Sequence, residues 1–172
     1  MRTPVVKHLG GLLLSLSFSF GGCLLADLED DLENAGKEGC SLAFRATGAL
    51  DLDWNTGTLD ECSAAGPGVT PLLQAWFETP TEELFIDVTD FAAGETGTFD
   101  AGVEFRTPRD EWVAETCTAQ ITQHDQSGEF GDWVVAGTVT CAGNLEAGVD
   151  NDLTDPLTLD GAVEFTVTYF GE

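Results

Sequence analysis

From Cys40 onward, hydrophobic and polar side chains repeat with a period of two. Cys40, Leu42, Phe44 and Ala46 fall on one side and Ser41, Ala43, Arg45 and Thr47 on the other, which predicts a strand whose buried face carries the cysteine inward. Leu50, Leu52 and Trp54 then alternate with Asp51, Asp53 and Asn55 as far as the turn signal Thr56-Gly57. Alternating or apolar runs follow at 72–78, 83–89, 97–106, 111–122, 132–142 and 157–170, giving roughly seven to nine strands and hardly any helix. Turn clusters such as AAGPG at 64–68 and HDQSGEFGD at 124–132 separate the runs and suit short antiparallel strands, not a βαβ rhythm. The expected fold is all-β, an antiparallel two-sheet β-sandwich formed by residues 40–172 as one domain, with a small β-barrel as the alternative. TGTLD at 56–60, TGTFD at 96–100 and AGTVT at 136–140 form a faint repeat, expected to mark similar strand entries because the chain is too short for a propeller.

The segment before Cys40 has a different character. Arg2 and Lys7 precede an apolar stretch at 9–20, and small residues follow before Cys23, the three-part layout of an export signal. About a dozen apolar residues are too few to span a bilayer, which takes roughly 20. Phe20-Gly21-Gly22-Cys23 resembles the lipobox of bacterial lipoproteins, with Phe20 where Leu is usual. That resemblance covers the N-terminal address alone. It implies removal of the signal peptide at 1–22, acylation of Cys23 on sulfur (palmitate-type) and on its new amino group, and a membrane partner reached through the lipid anchor. Leu24 is not the Asp of the common inner-membrane retention signal, so the expected location is the cell envelope, at the outer membrane, facing the periplasm or the surface. Residues 23–39 read as a lipidated acidic tether or a short helix, since Leu25, Leu28 and Leu32 share helical spacing before Gly36 and Gly39.

Setting Cys23 aside leaves Cys40, Cys62, Cys117 and Cys141, an even number in an exported chain, which predicts two disulfides. Of the three connectivities, Cys40 with Cys62 and Cys117 with Cys141 are favoured because each pair flanks one hairpin-like stretch. A four-cysteine zinc site lacks any CxxC spacing and suits an oxidising compartment poorly.

Composition narrows the function classes. Six Lys and Arg against 31 Asp and Glu give a net charge of −25, which repels a phosphate backbone and excludes nucleic acid as a partner. A hydrophobic fraction of 42% with 11 Phe and 4 Trp is too apolar for an acidic disordered chain, so the acids decorate a folded body. Loss of Arg2 and Lys7 with the signal makes the mature chain more negative still, and its stability is expected to be poorer at low salt.

Candidate chemistry is sparse. Asp51, Asp53 and Asn55, followed by Asp60, place oxygen ligands at alternate positions as calcium loops do, and Asp150, Asn151, Asp152 and Asp155 form a second acidic stretch. An EF-hand starting at Asp51 would need Gly and Glu where Thr56 and Cys62 stand, so the simpler reading is the solvent face of a strand and a polar turn. His124, the one histidine beyond the signal, lies beside Asp125 and near Ser127 in a turn-like stretch and reads as an exposed loop residue; no GxSxG elbow is present. By alternation Trp54 shares a face with Leu50 and Leu52, and Trp133 with Val135, Val139 and Cys141, which assigns both to the core, whereas Trp76 and Trp112 remain open for recognition. Arg106 and Arg109, in FRTPRDE, are the one place to meet an anion, although isolated arginines here more often act as local counterions. The expectation is a lipid-anchored, non-catalytic binding or structural module with no catalytic residues, its protein or carbohydrate partner left open. The alternative is a calcium-dependent adhesion or carbohydrate-binding module, and a hydrolase using two carboxylates has least support.

Overall fold

The structure, a computed structural model, describes residues 39–68, 70–127 and 131–170. The signal peptide expected at 1–22, Cys23 and the expected tether as far as residue 38 lie outside the described residues. The described strands are β1 (Ser41–Gly48), β2 (Leu52–Asn55), β3 (Glu61–Ala65), β4 (Leu72–Glu78), β5 (Glu83–Thr89), β6 (Gly97–Arg106), β7 (Glu111–Ser127), β8 (Asp132–Cys141), β9 (Glu146–Ala147), β10 (Leu157–Leu159) and β11 (Val163–Phe170). A three-residue 3-10 turn, Thr56–Thr58, follows β2. All ladders are antiparallel, and the strands make one sheet in the order β10-β1-β11-β8-β7-β6-β5-β4-β3, with β2 on β1 and β9 on β7. The expected division into two sheets is therefore not confirmed; the strands form one curled sheet, a half-barrel.

Distances between strands far apart in that order reveal the curl. Seven strand intervals separate β1 from β3, roughly 33 Å in a flat sheet at the usual interstrand spacing. Yet Cys40, just before β1, is bonded to Cys62 in β3, with their Cα atoms 6.6 Å apart. Phe44 of β1 and Phe105 of β6 lie four intervals apart and stack with ring centroids at 5.8 Å, which only a folded-over sheet permits. A Cβ on Gly66, directly after β3, would overlap the Tyr169 ring of β11, so only glycine lets the end of the β3 edge lie against β11. The second disulfide joins Cys117 and Cys141, which face each other in the β7–β8 ladder. Both pairings agree with those favoured from the spacing.

Period-two patterning explains which face is inside. Leu42, Phe44 and Ala46 on β1, Leu73, Ala75 and Phe77 on β4, Leu84, Ile86 and Val88 on β5, and Val163, Phe165 and Val167 on β11 are all buried. The concave side fills with aromatic groups toward both ends: Phe44, Trp54, Phe105 and Trp112 at one, Phe91, His124, Trp133 and Tyr169 at the other.

β7 breaks the alternation twice. Trp112 and Ala114 point inward at even positions, Cys117, Ala119 and Ile121 at odd ones, and His124 at an even one again. Each change of phase coincides with a register shift, one opposite Ala101/Val103 and one between Ile121 and Gln123, where a β-bulge inserts an extra residue. Bulges bend a strand and increase its twist, so the same two irregularities help to curl the sheet. They also carry β7 as far as Ser127, through the first four residues of the stretch expected to be a turn. The repeated TGTLD, TGTFD and AGTVT segments do not share one role: they form the 3-10 turn, the start of β6 and the middle of β8.

Candidate functional site

The convex face of β3–β7 carries the candidate site, because register brings together residues remote in sequence. One row across the strands reads Ser63, Trp76, Phe85, Glu104 and Val113. The next reads Glu61, Glu78, Glu83, Arg106 and Glu111. Trp76 and Phe85 are half-buried and meet edge to face with centroids 6.5 Å apart. The Arg106 guanidinium sits 4.7 Å above the Phe85 ring and is paired with Glu104 and, at 4.0 Å, with Glu111.

Beside Phe85 lies a groove of about 320 Å³ whose walls include Asp87, Asp100, Glu104 and Glu115, with Gly102 at its floor. It is open there because Gly102 has no side chain and because β7 bulges opposite it. A second hollow of about 490 Å³ shares Val113, Ala114 and Glu115 with the first and continues past Asn144 and Glu146. Together they make a shallow trough with an aromatic end and acidic sides. Within it, burial holds the Glu104 carboxyl above the usual carboxylate range, against the opposing pull of Arg106. In the adjoining row burial raises Glu78 as well, and repulsion from Glu61 and Glu83 adds to it. Gln74 donates to Asp87 at 3.1 Å and fixes one wall.

The other candidates from the sequence are placed differently. Asp53 pairs with Arg45 at 3.1 Å on the solvent face of β1–β2, and Asn55 accepts the Gly57 N–H at 2.9 Å as the cap of the 3-10 turn. Asp51 and Asp60 are exposed beside them. In the loop before β10, Asp152 faces Arg109 at 3.7 Å, the Asp155 carbonyl accepts the Trp112 indole N–H at 2.9 Å, and Asn151 both accepts from and donates to the Glu111 backbone. Asp150 is exposed. Asn55, Asn151 and the Asp155 carbonyl brace turns, and among the described residues no group of three or more His, Cys, Asp or Glu is placed to hold a metal ion. Arg106 and Arg109 serve as counterions to neighbouring carboxylates.

The tryptophans divide cleanly. Trp54 and Trp112 are buried, and Trp133 packs inward with its ring centroid 4.8 Å from that of His124, which leaves Trp76 as the one directed outward. Its exposure is hard to read from LLQAWFE, where apolar Leu72 and Trp76 stand on the outward face and Leu73, Ala75 and Phe77 on the inward one. His124 corrects the sequence reading more sharply. It is a strand residue only 4% exposed, because the bulge before Gln123 turns it into the interior. Burial holds its ring below the ordinary histidine value and pushes the neighbouring Tyr169 hydroxyl up to about 12.

The class defined by this fold and site is a disulfide-stapled, curled antiparallel sheet with a solvent-facing aromatic and acidic trough. Comparison with known protein families, with curated proteins and with solved structures finds no match to this chain. Among the described residues no helix is long and apolar enough to cross a membrane.

Proposed function

We propose that the protein is a lipid-anchored, non-catalytic binding module of the cell envelope, and that the convex trough takes a saccharide. The observation that carries this reading is the half-exposed Trp76–Phe85 pair beside a groove walled by carboxylates. Sugar rings present apolar C–H faces that stack on aromatic rings, and their hydroxyls donate hydrogen bonds to carboxylate oxygens. The concave side supports the same choice, since its aromatic groups pack on one another and face away from solvent. We retain the sandwich as a description of packing, with β1, β2 and β11 forming one wall and β4, β5 and β6 the other, joined by the continuous ladder.

Trp76→Ala is expected to weaken saccharide binding about tenfold, the equivalent of roughly 1.4 kcal/mol of lost stacking, with thermal stability nearly unchanged. Intrinsic fluorescence titration checks it; unaltered affinity would remove the aromatic pair from the site. The anchor rests on the lipobox resemblance and has its own test. Cys23→Ala is expected to move the protein from the membrane fraction to the soluble fraction, and a mutant that still sediments with membranes would refute lipidation there.

A further inference from the structure

The loop 90–96, between β5 and β6, closes one end of the curl. Phe91 enters the interior, fully buried, and stacks on the His124 ring with centroids 4.6 Å apart, while Phe99 meets it edge to face at 5.2 Å. Asp90 and Gly94 both adopt positive φ, 54° and 78°, to make the tight path. Backbone and side-chain bonds hold the loop among the described residues. The Phe91 N–H donates to Pro71 O at 3.1 Å, the Ala92 N–H to Glu95 Oε2 at 3.1 Å, and the Glu95 N–H to Ala92 O at 3.2 Å.

One further bond ties it to the sheet. The Gly94 N–H lies 3.0 Å from His124 Nδ1, and a backbone N–H can only donate, so Nδ1 is the unprotonated nitrogen. Nε2 therefore carries the proton and donates to the Tyr169 hydroxyl at 2.7 Å. The Glu95 carbonyl also lies 3.2 Å from Nδ1, without a donor in this tautomer. A proton added at Nδ1 reverses the arrangement: the Gly94 N–H loses its acceptor and faces another donor, and the new N–H turns to Glu95 O.

We propose that His124 is a pH-sensitive latch, holding the loop 90–96 closed while its ring is neutral and releasing Gly94 and the Phe91 plug when Nδ1 takes up a proton. The groups around the ring set the balance. Tyr169 from β11 meets Nε2, Trp133 from β8 and Phe91 from the loop bring no charge, and the carboxylates of Glu95 in the loop and Asp125 in β7 favour the proton. Burial outweighs them and keeps the ring below the ordinary value of 6.5. The unfolded chain thus binds the proton more tightly than the folded one. The stability that the latch contributes is complete above pH 6.5 and is lost as the pH falls below it toward the folded value. An acidic compartment would open this end.

The test is amide hydrogen exchange of the full chain from about pH 7.5 to about pH 5, corrected for intrinsic exchange and compared with strand β11, with the histidine ring followed by NMR in a His8→Gln background. Protection of 90–97 is expected to fall at least about tenfold more than that of β11, with a midpoint coincident with the His124 titration, and His124→Gln is expected to abolish the dependence. Protection of the loop that stays parallel to β11 would overturn the latch, as would a pH-dependent loss retained in His124→Gln. Should that variant fail to fold, the coincidence of the two midpoints in the His8→Gln background decides, and a mismatch overturns the proposal.

Discussion

Phe105→Ala is expected to destabilise the protein by about 3–5 kcal/mol, the range for removing a large buried aromatic side chain. Phe105 is fully buried and packs across the curl on Phe44 of β1, four strand intervals away, at 5.8 Å between ring centroids, and on Trp54 at 5.5 Å and Trp112 of the neighbouring β7 at 6.0 Å. Its removal would leave a cavity where the two sides of the curl touch, and rings held by separate strands cannot collapse into it without shifting the ladder. Urea unfolding monitored by tryptophan emission measures the loss, since Trp54 and Trp112 border the cavity. Phe170→Ala is the matched control: its side chain is 82% exposed, and its change should stay within about 0.5 kcal/mol.

The second large effect is expected from Cys40→Ser with Cys62→Ser. With a separation of 22 residues, the chain-entropy model gives about 3 kcal/mol, and much the same for Cys117 and Cys141 at 24. Their structural consequences should differ. Cys117 and Cys141 already oppose each other in a ladder that the backbone holds together. Cys40 and Cys62 bind β1 to β3, strands the ladder reaches only by way of six others, so their loss should free the β3 edge as well. A freed edge strand is a template for intermolecular pairing. The serine pair at 40 and 62 should therefore aggregate on heating more readily than the pair at 117 and 141, which light scattering during a thermal ramp would show.

Much of this architecture is legible in the chain. The strands β4, β5 and β6 occupy the expected runs at 72–78, 83–89 and 97–106, because each is an alternating or apolar run followed by turn residues. The cysteine pairing follows from each pair flanking one hairpin-like stretch, although only Cys117 and Cys141 lie on neighbouring strands. What escapes the sequence has a physical cause in each instance. A bulge shifts the side-chain phase by one and leaves no fixed residue signature, so His124 on β7 reads as outward or loop when it is buried. One curled sheet and two packed sheets both bury one face of every strand, so alternation alone does not separate them. The trough arises from register: Trp76, Phe85, Glu104 and Val113 come from four strands, and nothing in their spacing announces that they form one row. In the acidic motifs conspicuous in the sequence it is the amides that brace turns, Asn55 as a cap and Asn151 against the Glu111 backbone, which the residue pattern does not distinguish from a ligand role.

The most direct test of the trough as the ligand site is calorimetric titration of the full chain and its Gly102→Leu variant with neutral hexose and N-acetylhexosamine oligosaccharides. A Cβ at Gly102 meets nothing nearer than the Ala114 carbonyl at 3.7 Å, so the fold accepts a side chain there while the groove fills. Saturable binding by the wild type that is lost in Gly102→Leu, with unfolding temperatures alike, is the expected result. Equal binding by both proteins, or none by the wild type, would contradict the assignment.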